Sequence, residues 1–128
     1  MESEDPHDTA LPGAGDPFRP GAIVLVTLGS PREKFWGAIL ALTAKGLSLA
    51  GGELGSFEDL VSVIKAGDPP SFGVVFFPMH RIERVELDSS EGNIPSLAQR
   101  FTAQTGLDPA PILIRPLKTG LHTGGDQK

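Results

Sequence analysis

Three short clusters hold the side chains with the most chemical reach. Met79-His80-Arg81 puts a thioether, an imidazole and a guanidinium in one run. His80 is the only His in the part of the chain expected to form the core, whereas His7 and His122 lie near the ends of the chain. An imidazole in such a run can hydrogen-bond a base or a phosphate, and Arg81 can pair with a phosphate or a carboxylate. The ordinary alternative for His80 is a half-buried turn residue bonded to a backbone carbonyl. Phe35-Trp36, beside Arg32 and Lys34, is a candidate platform for stacking a base or a peptide side chain. Its ordinary alternative is packing, because Trp is highly buried on average. Neighbours on a strand face opposite sides, so one ring of this pair points inward. The same holds for Phe76-Phe77, whose outward ring would meet a second subunit or a helix.

Other chemistry is excluded by what is missing. The 128 residues include no Cys, which rules out disulfides, a thiol nucleophile, iron–sulfur sites and thiolate zinc sites. That absence fits a reducing compartment, and we expect a cytoplasmic protein. No Gly-x-Ser-x-Gly run occurs, and Gly29-Ser30 follows a strand without opening a helix, so neither a nucleophile elbow nor a phosphate loop is expected. The pairs Glu58-Asp59 and Glu83/Glu86 have ordinary roles, at a helix N-terminus and on a solvent-facing strand. No metal ligands recur at useful spacing. We expect no catalytic residues and no cofactor.

The net charge of −5 is uneven. Glu2, Glu4, Asp5, Asp8 and Asp16 lie in the first 17 residues with no Lys or Arg. The middle of the chain is close to neutral and the last 20 residues are slightly basic. No basic stripe of the kind that gives nucleic-acid affinity is visible. No apolar run reaches the ~20 residues of a membrane span, and the acidic start is not that of a signal peptide.

The elements that position these clusters lie in residues 21–106. Residues 1–20 are acidic and rich in Pro and Gly, and their composition predicts a disordered tail. Residues 107–128 read as a second tail in which Ile112–Ile114 docks as an edge strand. Ala22–Leu28, Lys34–Leu42 and Leu47–Leu49 read as strands. Gly37 marks a bend or a close backbone approach, and Gly51-Gly52 marks the end of the third strand. Residues 56–66 read as a helix: Ser56 is an N-cap residue, and Phe57, Leu60, Val61 and Ile64 form one apolar face ending at Gly67. Gly73–Phe77 and Arg81–Leu87 return to strand, with Pro78 between them. The spacing of Ile82 and Val85 predicts a bulge at Glu83–Arg84. Ile94–Thr105 reads as a second helix stopped by Gly106. The order β-β-β-α-β-β-α predicts a mainly β chain: a small, strongly bent, five-stranded antiparallel barrel with a helix inserted between strands 3 and 4 and a short C-terminal helix.

From Ile23 to Leu87 the chain resembles the Sm-like (LSm, Hfq-type) small barrels, a relative of the SH3-like architecture. Ile23–Leu28, the aromatic Phe35, then Gly37, Ile39 and Leu42 resemble the first half of that pattern. Val75-Phe-Phe-Pro-Met-His-Arg-Ile82 resembles the second half, and His80-Arg81-Ile82 is similar to the His-Ala-Ile of the bacterial group. The chain departs from the pattern at Leu42–Gly46, which lacks the usual Asp and Asn, and at Pro78-Met79-His80, which replaces Arg-Gly-Asn. The resemblance implies a homo-oligomer in which strand 4 of one subunit pairs with strand 5 of the next, through Phe76, Phe77, Ile82, Val85 and Leu87. It implies RNA as ligand, with Phe35, Trp36, Met79, His80 and Arg81 on the ligand side, while the acidic balance argues against strong RNA affinity. The alternative is a protein–protein adaptor that presents Phe57, Leu60 or Phe72 to a protein partner.

Overall fold

The computed structural model describes residues 15–69 and 72–114. The expectations for residues 1–14 and 115–128, including His7 and His122, lie outside the described residues. In chain order the elements are β1 (Ile23–Leu28), β2 (Glu33–Thr43), β3 (Gly46–Glu53), α1 (Phe57–Lys65), β4 (Gly73–Pro78), β5 (Ile82–Leu87) and α2 (Leu97–Thr105). This is the order that the periodicities predict.

The five strands make one antiparallel sheet, ordered β4-β3-β2-β1-β5. It is a small β domain, and the sheet does not close into the expected barrel. The reason is local. β4 ends with Pro78 opposite Gly46, whereas β5 begins with Ile82 opposite Leu28, at another place along the sheet. The three-residue 3-10 turn Met79–Arg81 carries the chain between those points. The two strands therefore leave the turn along different partners and form no hairpin with each other.

Alternation sorts the side chains onto two faces. Val24, Val26, Leu28, Ile39, Leu47, Leu49 and Phe77 form one buried cluster, and Phe18, Phe35, Val75, Ile82 and Val85 pack against it. No helical residue joins this cluster, so the sheet must curl around it to exclude water. On the other face Trp36, Ala38, Phe57, Val61, Phe101, Ile112 and Leu113 form a second buried cluster, roofed by the helices. Phe35 and Trp36 thus go to opposite faces, as alternation requires.

Several boundaries differ from expectation. β3 does not stop at Gly51-Gly52 but runs through to Glu53. Gly51 pairs with Gly37, and the strands approach so closely that a Cβ on Gly37 would come within 2.9 Å of the Gly51 Cα. Those glycines are a bend inside the sheet, not its end. The bulge falls where predicted: Thr27 pairs with Arg84 and Leu28 with Ile82, leaving Glu83 as the extra residue. Ile112–Ile114 is not an edge strand. Residues 109–114 are helical, with Ile112 and Leu113 buried on the helix-covered face. Burying adjacent residues along with Pro109 suits a short helix pressed into a core better than a half-exposed strand. Residues 15–20, assigned to the tail by composition, form a turn that seats Phe18 on the curled face; Gly21 N–H donates to the Ile39 carbonyl at 2.8 Å.

The helix ends also depart from the sequence pattern. Ser56 precedes α1, but its side chain makes no capping bond, because the 3-10 turn Leu54–Ser56 runs straight into the helix and gives Ser56 φ −95° and ψ 5°. A capping residue needs extended backbone. α2 begins at Leu97 rather than Ile94, and Ile94 is 69% exposed in a small bridge with Glu91. Ser96 and Gln99 form a capping box: Ser96 Oγ accepts from the Gln99 N–H at 3.0 Å and Gln99 Oε1 from the Ser96 N–H at 2.8 Å. Gly106 ends α2 with φ +79°, a left-handed position that favours glycine.

Candidate functional site

Three connections are linked through the 3-10 turn, although the β1–β2 and β2–β3 connections flank opposite ends of β2. The chain between β1 and β2 supplies Gly29 to Arg32, the β2–β3 turn supplies Ala44 and Lys45, and the 3-10 turn supplies Met79, His80 and Arg81. Backbone bonds tie them together: Met79 N–H donates to the Lys45 carbonyl at 2.8 Å, and Gly29 N–H donates to the Arg81 carbonyl at 2.9 Å.

The Arg81 side chain completes the junction. Its Nη1 donates to the carbonyls of Gly29 at 2.7 Å and Pro31 at 3.1 Å, and its Nη2 meets Glu33 Oε1 at 2.6 Å. It is 23% exposed. A guanidinium engaged by two carbonyls and a carboxylate is a latch on the β1–β2 connection. These contacts occupy Nη1 and Nη2, the donors that the expected pairing with a phosphate would use. Arg81→Ala should lower stability by about 1–2 kcal/mol, the worth of a few hydrogen bonds to a charged group near the surface. Arg81→Lys should restore little, since an ammonium cannot reproduce the fork. Urea unfolding checks both.

Met79, at 41% exposure, and His80 remain on the outside of the junction, with the exposed Arg32 and Lys45 on neighbouring connections. Phe76, 56% exposed, stands beside them on β4, where its ring lies against Gly46 at the β2–β3 turn. The exposed aromatic at this junction is therefore Phe76. Phe35 is half-buried with its ring 4.8 Å from that of Phe77, inside the curled face. Trp36 is 2% exposed, on the helix-covered face. Neither forms the expected platform, because each packs into one of the two cores.

The expected subunit contact also divides. Phe77 is 7% exposed and belongs to the curled core, and Ile82 and Val85 are half-buried against it. Phe76 and Leu87, the latter 40% exposed, stay at the surface, and Val74 joins them at 52%. Sequence alternation had the information to find Val74, two residues before Phe76 on the same face.

No family model, curated protein or solved structure matches this chain. Among the described residues, no three His, Asp or Glu side chains group as a metal site, and no helix is long and apolar enough to cross a membrane.

Two further constellations were not legible as such. One is the Asp88 carboxylate, which receives the Trp36 indole N–H at 3.1 Å and the backbone N–H groups of Leu97 and Ala98 at 2.9 and 2.8 Å. Its sequence context, Asp88-Ser-Ser-Glu, reads as a turn. The other is a recess on the helix-covered face between β3 and α1, lined in part by Trp36, Gly52, Phe57 and Phe72. A glycine inside a strand beside a helix start is the one signal that could have pointed to it.

Proposed function

We propose that the protein is a non-enzymatic binding module of the Sm-like kind, self-associating through its sheet edges, with RNA bound weakly at the Arg32, Lys45, Met79 and His80 junction. The observation that supports this reading is the pair of sheet edges. β4 and β5 are the outer strands, each of six residues. An edge strand presents unpaired backbone groups that template a further strand. β4 of one copy laid on β5 of the next is a head-to-tail contact, and such contacts close into rings when the rotation allows. Val74 and Phe76 on β4 and Leu87 on β5 supply the apolar surface for it.

Light scattering of the purified protein, with absorbance at 260 and 280 nm across the peak, tests the proposal. The wild type should run as a multimer. Phe76→Lys should run as a monomer with its unfolding midpoint little changed, by about 0.5 kcal/mol or less, because the ring is more than half exposed. A wild-type monomer at working concentrations would sink the assembly. If RNA is retained, its affinity should fall steeply with salt, with a log–log slope of about 0.7 per phosphate neutralised.

A second reading, an adaptor for protein partners without nucleic-acid binding, is favoured by the engagement of Arg81, which takes the strongest phosphate ligand out of the site. Phe57, at 5% exposure, cannot present itself to a partner as first expected, but Val74 and Phe76 can. Salt-independent behaviour with no co-purified nucleic acid would select this reading.

A further inference from the structure

The two edge strands differ in what they show on the face away from the curled core. On β4, Val74 and Phe76 stand opposite Ala50 and Ser48 of β3. Both are more than half exposed, and β4 carries no charged side chain. On β5, Arg84 and Glu86 stand opposite Thr27 and Leu25 of β1. Leu25 packs on the helix-covered cluster, which places Arg84 and Glu86 on the same side of the sheet as Val74 and Phe76. Arg84 Nε donates to Glu86 Oε2 at 2.6 Å, and Arg84 is 61% exposed. An exposed pair of this kind adds little to the stability of the fold.

Alternation leaves few ways to lay β4 of one copy along β5 of the next. Curled-face side chains must meet curled-face side chains, because a slip of one residue turns a core face to water. Every strand pair in the sheet is antiparallel. With the two six-residue strands aligned antiparallel over their full length, Val75 meets Val85, and both pack on the curled core. The same alignment sets Phe76 beside Arg84 and Val74 beside Glu86. A parallel alignment that matches Val75 with Val85 sets Phe76 beside Glu86 instead.

Charge decides between the two. The face of an aromatic ring attracts a guanidinium through its quadrupole and repels a carboxylate. We infer that Phe76 of one copy lies under the Arg84 guanidinium of the next, and that this pair sets the antiparallel register of the contact. The inference rests on the edge-to-edge assembly proposed above. Arg84 keeps Glu86 as its partner there, because its N–H groups lie in the guanidinium plane and stacking uses the face of that plane.

The test is light scattering of the full-length protein and its variants across a dilution series, with urea unfolding to confirm that each variant is folded. Phe76→Lys and Arg84→Glu should each weaken the contact by about tenfold or more, the first setting two cations together and the second a carboxylate against the ring. The double variant Phe76→Lys/Arg84→Glu should recover the multimer, since the new ammonium faces the new carboxylate. Phe76→Glu should remain a multimer at concentrations where Phe76→Lys is a monomer, and adding Arg84→Glu to it should break it. Mixing the two single variants Phe76→Lys and Arg84→Glu in equal amounts should restore assembly, because a head-to-tail contact lets the two alternate. A wild-type monomer would remove the assembly and this contact with it. A wild-type multimer in which Phe76→Lys and Phe76→Glu are equally impaired, or in which neither the double variant nor mixing restores assembly, would leave the assembly standing and overturn the Phe76–Arg84 pairing alone.

Discussion

Replacing Asp88 by alanine should lower the stability of the protein by about 3 kcal/mol, among the largest effects of any surface-proximal change. Its carboxylate accepts three hydrogen bonds from two different elements: the indole N–H of Trp36 on β2, and the first two backbone N–H groups of α2. The helix N–H groups have no partner within the helix, and a negative charge there is also favoured by the helix dipole. Trp36 is 2% exposed. Alanine would leave all three donors without an acceptor, and each buried orphan costs about 1–3 kcal/mol. Asp88→Asn should fall between, because the amide keeps one acceptor oxygen and loses the charge. Urea unfolding followed by Trp36 emission measures both variants. An alanine variant within about 0.5 kcal/mol of wild type would show that the β5–α2 junction does not depend on this residue.

The strands and helices were legible because each depends on short-range pattern. The continuous, β-branched-rich apolar run Ile23–Leu28 and the 3.6-residue spacing of Phe57, Leu60, Val61 and Ile64 are properties of neighbouring residues. The bulge at Glu83 was readable for the same reason, since Ile82 and Val85 must both reach the curled core. What the pattern could not carry was which face each alternation would serve. Phe35-Trp36 and Phe76-Phe77 are alike in sequence, yet Trp36 is buried under helices and Phe76 is more than half exposed. That difference arises because α1 and α2 cover β2 and stop short of the outer edge of β4. Long-range placement of this kind has no local signal.

The candidate site shows the same division. Met79 and His80 were correctly placed on a turn, and the turn was correctly placed between the last two strands. The partner of Arg81 was not readable, because Gly29, Pro31 and Glu33 lie about fifty positions earlier in the chain. A guanidinium in a polar turn looks free until the fold brings carbonyls to it. The Asp88 junction was hidden in the same way. Its partners Leu97 and Ala98 lie nine and ten residues on, across a loop, and Trp36 lies 52 residues back.

Gly37→Val should be the most damaging single substitution in the sheet, and Gly37→Ala should already cost about 2–3 kcal/mol. Gly37 sits in the central strand between Val24 on β1 and Gly51 on β3. A Cβ there would lie 2.9 Å from both the Ala50 carbonyl carbon and the Gly51 Cα, and closer still to the Ala50 carbonyl oxygen. These are backbone atoms, so no rotamer change relieves the contact, and the strands themselves must part. Parting them would open the bend through which the sheet curls around Leu49, Ile39 and Val24, all fully buried. Gly52 is the internal control, one residue beyond Gly51 on the same strand but with open space where its Cβ would be. Gly52→Ala should be neutral or stabilising by up to about 1 kcal/mol, through reduced freedom of the unfolded chain. The contrast between the two alanine variants in urea isolates space from glycine's intrinsic flexibility, which both substitutions remove equally. Equal effects at the two positions would mean that β2 and β3 can move apart at little cost, and that the curl of the sheet does not depend on this close approach.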